Sequence, residues 1–435
     1  MHNPSNIPQA TSSLEMWLSY LTDLHSQAID MGLERVGDVA RKMGLVNFNQ
    51  STPTGQGKTK VITVTGTNGK GTTCHTLESI LLAAGLKVGV YSSPHLVRYT
   101  ERVRIQGQEP TESAFCQAFA EIETQRADIS LTYFEYGTLA ALKLFKDAQL
   151  DVLILEVGLG GRLDATNVVD SDITAITSIA LDHTDWLGSD RENIGYEKAG
   201  IFRAGCYAVI GEPDMPKSIQ QVADQLGTQL FRRDKEWCFT QNADSWSWQT
   251  AERQYAHLPL PNVPLANAAT ALGVLHCIMK TDPEWQQLLT EDIIHNGLRS
   301  AQLPGRFQII NRQPLTILDV AHNPHAAGYL VAKLAELPKI SGCRLRAVVG
   351  MLGDKDIAGT LQCLATQVTD WYVAPLTEFR GAEAAVLAQY LPEAQVFDSV
   401  ESAWKQAQID AKQHDIIVVC GSFHTVAHVM TLLEK

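Results

Sequence analysis

The chain has 435 residues, 45% of them hydrophobic, which is enough to bury large cores in two or three domains. Its formal net charge of −13 argues against nucleic acid or an anionic membrane as the main partner. Its eight cysteines are scattered without a Cys-x-x-Cys pair, which favours a reduced cytoplasmic protein over a disulfide framework or zinc site. Residues 1–6 lack a basic and apolar signal pattern, and no apolar run reaches membrane-spanning length.

Helical periodicity and β-branched runs alternate along the first 181 residues. The predicted helices cover 14–29, 33–43, 72–84, 111–126 and 133–147. The predicted strands cover 61–65, 88–91, 152–157 and 173–181. A polar stretch rich in Gly, Pro and Ser over 47–58 predicts a surface loop before the first strand. The alternation is typical of a parallel sheet covered by helices on both faces.

The pattern changes in the second half of the chain. Short runs that alternate with polar residues predict an antiparallel appendage over 207–260, and a helix follows over 265–279. The segment 302–306 contains Pro and Gly between a helix and a new series of strands, which predicts a hinge. The predicted strands beyond it lie near 315–320, 345–350, 370–374, 395–397 and 415–420. They indicate a second, smaller doubly wound α/β domain with Rossmann-like topology.

The strand at 61–65 leads into a loop of small residues with one lysine, Gly66-Thr67-Asn68-Gly69-Lys70-Gly71-Thr72, and then into a helix. Such a turn directs unpaired backbone N–H groups and the positive end of the helix at one point. Lys70 adds a cation, so the loop suits a polyphosphate. The generic phosphate-loop pattern matches imperfectly, because Val64 and Gly71 stand where it requires Gly and Ser or Thr. An ordinary glycine-rich turn remains the alternative.

Polar residues also follow three of the other predicted strands. Ser93, Glu156 and His183 lie at or near the ends of consecutive strands, the edge where open α/β sheets bind ligands. With Thr72 and a nucleotide phosphate they would supply hard oxygen ligands and one imidazole to Mg²⁺. Taken singly, each is more simply explained as a hydrogen-bonded structural residue; three around one phosphate loop favour a magnesium site.

Several longer motifs point to one family. They are Gly-Thr-Asn-Gly-Lys-Gly-Thr (66–72), Ser-Pro-His-Leu-Val-Arg-Tyr-Thr-Glu-Arg (93–102), Thr-Tyr-Phe-Glu (132–135), Glu-Val-Gly-Leu-Gly-Gly-Arg-Leu-Asp-Ala-Thr-Asn (156–167), Asp-His-Thr-Asp-Trp-Leu-Gly (182–188), Glu-Lys-Ala-Gly-Ile (197–201), Leu-Pro-Gly-Arg-Phe (303–307) and Asp-Val-Ala-His-Asn-Pro (319–324). The first resembles the ATP loop of the Mur ligase superfamily. Together they resemble the bacterial bifunctional dihydrofolate synthase/folylpolyglutamate synthase family over nearly the whole chain.

The resemblance implies an ATP-dependent amide ligase. The implied reaction adds L-glutamate to 7,8-dihydropteroate, and then further glutamates to reduced folates, through an acyl phosphate. It also implies a P-loop-type ATPase domain with an N-terminal pterin-binding segment over 1–303 and a glutamate-ligase domain over 304–435. The family suggests a monomer.

The resemblance also assigns roles to residues of the nucleotide and metal site. The implied ATP contacts are Gly66, Thr67, Asn68, Gly69, Lys70, Gly71, Thr72, Asn267, Arg306 and Asp319. The implied metal ligands are Ser93, Glu156, His183 and Lys198. From the sequence alone Lys198 is better explained as a surface lysine on a helix. In the family the matching lysine carries a CO2-derived carbamate, which makes it anionic and able to support a second Mg²⁺. An interdomain salt bridge is the alternative for Arg306.

The remaining roles concern the two organic substrates. The positions that match the dihydropteroate site are Asp30, Met31, Gly32, Leu33, Thr132, Phe134, Leu163, Asp164 and Ala165. Phe134 offers an aromatic face and Asp164 an acceptor for the pterin, although plain core packing explains Phe134 equally well. His322 matches a histidine associated with glutamate binding and turnover, and is a candidate to accept or relay the amine proton. Ser422 is a further candidate for the glutamate pocket, and packing alone is the alternative for both.

Three other functions compete with this interpretation. A monofunctional folylpolyglutamate synthase would lack the dihydropteroate step. A peptidoglycan Mur ligase would carry a separate N-terminal nucleotide-sugar domain, for which about 60 residues before the loop leave too little room. A non-catalytic nucleotide switch would not require Lys70, Glu156, His183, Lys198 and Arg306 together.

Overall fold

The computed structural model describes residues 7–27, 29–48, 58–338, 342–378 and 380–434. The predicted loop at 47–58 and the N-terminal residues 1–6 therefore lie wholly or mostly outside the described residues. The chain divides into two compact units. The described residues of Met1–Ser93 and Thr100–Ala301 form the first, and those of Pro94–Tyr99 and Gln302–Lys435 form the second.

The first unit is built on a seven-stranded sheet in the order β3-β2-β4-β1-β5-β6-β7. Its strands are β1 (Lys60–Thr65), β2 (Val88–Tyr91), β3 (Val103–Ile105), β4 (Val152–Glu156), β5 (Ile173–Ile176), β6 (Tyr207–Ile210) and β7 (Gln229–Arg232). All neighbours pair in parallel except the edge strand β3, which is antiparallel to β2. The central strands are buried along their length because helices cover both faces, so apolar side chains follow one another without alternation.

Eleven helices of the first unit fall within the described residues. They are α1 (Leu14–Leu24), α2 (Glu34–Lys42), α3 (Lys70–Ala83), α4 (Glu112–Arg126), α5 (Tyr133–Ala148), α6 (Thr184–Leu187), α7 (Arg191–Ala199), α8 (Lys217–Leu226), α9 (Leu265–Thr281), α10 (Trp285–Leu288) and α11 (Glu291–Ser300). A short 3₁₀ turn lies at Ala165–Val168, and another, Tyr99–Arg102, begins at the last residue of the segment Pro94–Tyr99. Several begin at a side-chain cap: Ser13, Thr111 and Thr132 each accept a backbone N–H of the first turn. The first predicted helix ends at Leu24, five residues earlier than expected.

The prediction of an antiparallel appendage over 207–260 was wrong in its first half. Residues 207–232 form a parallel strand-helix-strand unit that extends the main sheet through β6, α8 and β7. Only β8 (Trp237–Gln241), β9 (Ser245–Thr250) and β10 (Gln254–Pro259) form a separate antiparallel sheet. The four-residue β6 is too short to show a clear period, but its last three residues are buried. Trp246 and Trp248 of the small sheet are fully buried in the core beside α9.

The second unit contains a six-stranded sheet in the order β11-β12-β16-β13-β14-β15. Its strands are β11 (Gln308–Arg312), β12 (Leu315–Leu318), β13 (Leu345–Val349), β14 (Asp370–Val373), β15 (Gln395–Val396) and β16 (Ile416–Cys420). Its helices are α12 (Pro324–Glu336), α13 (Ile357–Leu364), α14 (Ala384–Ala388), α15 (Val400–Asp410) and α16 (Phe423–Leu433). All pairs are parallel except β11 with β12, and helices pack on both faces. The predicted fold class of two doubly wound α/β domains is confirmed for both units.

Candidate active site

The loop between β1 and α3 adopts the backbone that its glycines permit. Gly66 and Gly69 have φ of +151° and +90°, values that disfavour any side chain. A Cβ at Gly69 would lie 2.5 Å from Oδ1 of Asn267 on α9, so the glycine also permits this close approach. Gly69 is the N-cap, and α3 begins at Lys70 rather than at the predicted Thr72. The first turn of α3 therefore directs its N–H groups into the loop, as an anion site requires.

Side chains on either side hold this loop in place. Asn267 donates through Nδ2 to Oγ1 of Thr72 at 2.7 Å, which joins α9 to the first turn of α3. Thr67 donates its backbone N–H to Ser178 O at 2.8 Å, beyond the end of β5. The Nζ of Lys70 folds back onto the loop and donates to Gly66 O at 2.9 Å and to Thr67 O at 3.2 Å. Gly71 is partly buried.

Lys198, in the last turn of α7, has the most perturbed environment of the predicted residues. Its side chain is buried, with a relative exposure of 3%. Burial, followed by repulsion from Lys70, lowers the pKa of Lys198 from its ordinary value of 10.5 to about 7, against the opposing charges of Asp182 and Asp164. The structure thus places this amine within electrostatic range of both the phosphate loop and Asp164. The sequence alone favoured a surface lysine here, and that interpretation was wrong.

Two of the other predicted metal ligands, Glu156 and Ser93, lie at strand ends of the same sheet. The strand predicted over 173–181 ends at Ile176, so His183 lies seven residues beyond it. Glu156 ends β4, is almost completely buried and is paired in register with Val64 of β1. Burial, followed by the charge of Glu156, raises the pKa of the Cys74 thiol on α3. Ser93 follows β2, and His183 precedes α6 in a left-handed conformation with φ +52°. Glu156 is therefore a buried carboxylate at the end of a central strand, within electrostatic range of α3.

Among the described residues, no three His, Cys, Asp or Glu side chains lie together as a ready-made metal centre. The predicted metal ligands would not form such a cluster, because only Glu156 and His183 among them are His, Cys, Asp or Glu. Ser93 and Lys198 complete the set, and Lys198 supplies an oxygen only after carbamylation. Carboxylate, hydroxyl and carbamate oxygens are the hard donors that Mg²⁺ prefers, so the chemistry of the residues fits this ion.

The glycine-rich residues 158–167, here called the glycine loop, fold around Asp164. Its Oδ2 accepts from Gly158 N at 3.0 Å and Leu159 N at 2.9 Å, while Oδ1 accepts from the N and Oγ1 of Thr166 at 3.0 and 2.7 Å. Burial raises the pKa of Asp164 despite these bonds. Four donors match the number of lone-pair sites on a carboxylate. A direct bond from Asp164 to a ligand would therefore require one loop donor to be released.

Other residues predicted for the pterin site surround the glycine loop. The outer edge of the Phe134 ring approaches it closely, since Cζ is 2.6 Å from where a Cβ of Gly158 would stand. The Cε of Met31 is 3.6 Å from the corresponding position at Gly160. Thr132 caps α5, and its side chain is already used in a capping box with Glu135. Leu163 is partly buried and Ala165 is buried in the loop itself.

The N-terminal part of the predicted pterin segment is fixed by an ion pair. Asp30 lies 2.7 Å from Nη1 of Arg35, the second residue of α2. Leu33 is the N-cap of that helix and Gly32 precedes it, with no heavy atom within 4 Å of its would-be Cβ. Asp30 is therefore partly committed to shaping the start of α2.

In the second unit the predicted residues gather at the ends of β12 and β16. Asp319 is buried and accepts from Phe307 N at 2.8 Å and Ala321 N at 2.9 Å. Burial raises the pKa of Asp319, opposed by the charge of Arg306. His322 Nδ1 lies 2.9 Å from Val320 O, which makes Nδ1 the protonated ring nitrogen.

Ser422 is the N-cap of α16 and accepts from Thr425 N at 3.2 Å, so it has a structural role whatever else it does. The next residue, Phe423, was not predicted. Its ring centroid lies 5.1 Å from Cζ of Arg306 and 6.0 Å from the ring of His322. The Phe423 ring thus lies beside both Arg306 and His322.

Comparison with known proteins decides the family. Two family models match the chain: the Mur ligase middle domain over residues 64–244 and the Mur ligase glutamate ligase domain over 305–423. The dihydrofolate synthase/folylpolyglutamate synthase of Escherichia coli is 58% identical over 427 residues, covering 98% of this chain and 97% of the relative. The chain belongs to the dihydrofolate synthase/folylpolyglutamate synthase family.

Solved structures of this family agree with the fold. The E. coli FolC structure in complex with DHPP and ADP has a TM-score of 0.92 at 58% identity, with 98% of this chain and 99% of that chain covered. A Yersinia pestis bifunctional folylpolyglutamate synthase/dihydrofolate synthase complexed with AMPPNP and Mn has a TM-score of 0.91 at 62% identity, with 99% and 100% covered. No helix within the described part of this family member has the length and apolarity to cross a membrane.

Sequence reasoning missed two groups of residues in this synthase. Phe423 stands directly after the candidate Ser422, so its position next to a motif residue was the available signal. Arg162 and Glu197 lie inside two of the matched motifs, yet no role was predicted for either. Their side chains meet at 2.8 Å between the glycine loop and α7. The two positions are 35 residues apart in the sequence, and only the fold brings them together.

Proposed function

We propose that this protein is an ATP-dependent ligase that joins L-glutamate to 7,8-dihydropteroate to form dihydrofolate, and then adds glutamates to reduced folates. The observation that carries the proposal is the position of Lys198. This buried amine lies within electrostatic range of Lys70 on the phosphate loop and of Asp164 in the glycine loop. The nucleotide and substrate motifs of the family thus meet around one residue.

The proposed reaction has two steps. A carboxylate oxygen of the acceptor attacks the γ-phosphorus of ATP, which forms an acyl phosphate and releases ADP. The amine nitrogen of glutamate then attacks the acyl carbon, phosphate leaves, and the amine loses a proton. The amides of residues 66–72 and Nζ of Lys70 would bind the phosphates, and Asn267, Arg306 and Asp319 would contact the nucleotide. Each step transfers a group between reactants held in place, so positioning dominates catalysis.

We assign the divalent metal to Ser93, Glu156, His183 and carbamylated Lys198. By resemblance to the family, these residues would bind two Mg²⁺ ions. Bound Mg²⁺ would neutralise the charge that crowds between the triphosphate and the attacking carboxylate. Glu156 is suited to this role because it is a buried carboxylate at a strand end. The Yersinia pestis relative complexed with AMPPNP and Mn supports the use of a divalent metal and a nucleotide.

Carbamylation requires a neutral amine, which attacks CO2 to form the N–C bond and loses one proton. A lysine with an ordinary pKa is neutral in only about one molecule in a thousand at pH 7.5. The lowered pKa of Lys198, about 7, leaves most of its amines neutral at that pH. We expect Lys198→Ala to lose activity and short carboxylates such as acetate to restore part of it. Full activity of the variant without acetate would overturn the assignment.

For the organic substrates, we propose that Met31, Phe134 and the glycine loop bind the pterin, and that His322 and Ser422 bind glutamate. Because Nδ1 of His322 donates to Val320 O, Nε2 is the basic nitrogen of the neutral ring and would take the amine proton. Phe134 supports the pterin proposal because its ring lies directly beside Gly158 of the glycine loop.

The decisive experiment incubates purified protein with ATP, Mg²⁺, L-glutamate and either dihydropteroate or tetrahydrofolate. We expect ADP and phosphate release that depends on glutamate with both acceptors, and products heavier by glutamyl residues. Turnover with tetrahydrofolate alone would identify a monofunctional folylpolyglutamate synthase, and no glutamate-dependent turnover would refute the ligase. Lys70→Met is expected to abolish turnover, while the exposed Lys280→Met serves as the matched control.

We also propose that the protein acts as a cytoplasmic monomer. All eight cysteines are free thiols, four of them buried in the cores, which suits a reducing compartment. Sedimentation at micromolar concentration is expected to give the mass of one chain, 47.7 kDa. A stable dimer under those conditions would contradict the proposal.

A further inference from the structure

The glycine loop touches α7 through its backbone at Arg162. The Arg162 N–H donates to Glu197 O at 2.8 Å. A Cβ at Gly161 would lie 2.9 Å from Glu197 O, and a Cβ at Gly200 would lie 2.3 Å from Cβ of Arg162. The two backbones therefore meet with no space for side chains between them. This contact sets the distance of the loop from the last turn of α7, where Lys198 stands.

This backbone hydrogen bond fixes one point of the contact between the glycine loop and α7. A second, offset contact is provided by side chains: Nη2 and Nε of Arg162 lie 2.8 and 3.2 Å from Oε1 of Glu197. The guanidinium also lies over the ring of Tyr196, 5.7 Å from its centroid. Asn167 Nδ2 donates to Arg162 O at 3.0 Å and Gly200 O at 3.1 Å on the other side of the loop. Together these contacts fix the orientation of the loop as well as its distance.

We infer that the Arg162–Glu197 ion pair positions Asp164 and Lys198 relative to each other for the ligase reaction. Glu197 immediately precedes Lys198, and Arg162 lies two residues before Asp164. A change in the pair therefore moves both residues of the proposed site at once. This inference rests on the proposed function, and it assigns Arg162 and Glu197 as positioning residues rather than catalytic ones.

A contribution to folding stability does not by itself account for the Arg162–Glu197 ion pair. The side chains of Arg162 and Glu197 are 41% and 17% exposed, and ion pairs open to solvent contribute little to folding. Rates respond differently, because a displacement of about 1 Å in a site costs up to about a hundredfold in turnover. A positioning role thus predicts a large loss of activity with a small loss of stability.

The test measures kcat and the KM of each substrate for R162M, E197Q and the double variant. We expect each single variant to lower kcat/KM for dihydropteroate about tenfold, through both kcat and KM, while the KM for ATP stays within about twofold. The double variant should lose no more than about twofold beyond the worse single variant, because either change already breaks the pair. Melting temperatures should fall by no more than about 3 °C.

A matched pair elsewhere in the first unit serves as the control. Arg232 and Glu236 meet at 2.7 Å with similar exposure, 35% and 34%, but lie at β7 and beyond it. R232M and E236Q are expected to leave all kinetic constants within about twofold of the wild type. The inference is overturned if R162M and E197Q behave like these controls, if their losses multiply, or if the KM for ATP rises equally. An inactive wild-type protein would instead refute the proposed function itself.

Discussion

Because the amine of Lys198 is buried, we predict that its protonated form destabilises the folded protein. Lowering a lysine pKa from 10.5 to about 7 corresponds to about 5 kcal/mol, since each factor of ten in acidity is about 1.4 kcal/mol. The amine is buried, so solvent screening does not reduce this figure appreciably. Methionine keeps the length and apolar stem without the charge. We therefore expect Lys198→Met to raise the free energy of unfolding by about 3–5 kcal/mol at pH 6.5 in the absence of CO2 and metal.

The pH dependence has a definite sign. Below pH 7 the amine is protonated in both the folded and the unfolded chain. The free energy of unfolding is then lowered by the full cost of burying the charged amine. Between about pH 7 and 10.5 the unfolded chain binds more protons, and the wild-type free energy of unfolding rises with pH by up to about 1.4 kcal/mol per pH unit. Above pH 10.5 the amine is neutral in both states and the cost disappears. Lys198→Met should lack this slope, so the gap between the two proteins closes as the pH rises.

Urea unfolding followed by tryptophan fluorescence measures the effect, because six of the eight tryptophans lie in the first unit. Lys280→Met is the control: the pKa of this exposed lysine is raised by its hydrogen bond to Glu252, so its removal gives no stabilisation. The reasoning is refuted if Lys198→Met is no more stable than the wild type at pH 6.5. An unchanged slope between pH 7 and 9 would refute it equally.

Three further predictions concern the loop between β1 and α3, the ring of Phe423, and the buried ion pair between Arg346 and Asp415. Gly69→Ala would place a Cβ 2.5 Å from Asn267 Oδ1 at φ +90°, and we expect at least about a tenfold rise in the KM for ATP in steady-state assays. Phe423→Leu removes the ring that contacts the arginine and histidine candidates; we expect kcat/KM for glutamate to fall about fivefold with little change in melting temperature. Arg346→Met leaves the buried Asp415 carboxylate without its 3.1 Å partner, and chemical denaturation of the second unit should show a loss of about 3–5 kcal/mol. An unchanged KM for ATP, kcat/KM for glutamate or free energy of unfolding, respectively, would contradict the role given to that residue.

The parts of the fold that depend on local pattern were predictable from the sequence. The buried β-branched run before Gly66 and the motif at residues 66–72 specify a strand, a turn and a helix within a short stretch. The start of α3 was placed two residues late, because the capping role of Gly69 depends on its left-handed backbone. The parallel extension through β6 and β7 was missed, because a strand of four residues shows its burial only once its neighbours are known.

The site was predictable as a set of residues but not as a set of contacts. Lys198 looked exposed in its polar helix, and only packing shows that it is buried near Lys70. Asp164 was predicted as an acceptor from its residue type, whereas its four hydrogen bonds to the loop come from the folded turn. The contacts of Arg162 and Phe423 depend on partners far away in sequence, which periodicity does not report.

The six residues Pro94–Tyr99 belong to the second unit, although the chain on both sides of them belongs to the first. Leu96 packs into a core cluster of that unit, beside Val320 and Val426. Cutting the gene after Ala301 would therefore not yield an independent carboxy-terminal fragment, because the excised piece would lack Leu96 and expose the apolar surface it covers. The two halves of this ligase are interleaved along the polypeptide, and recombination that exchanges the glutamate-ligase half must carry this hexapeptide with it.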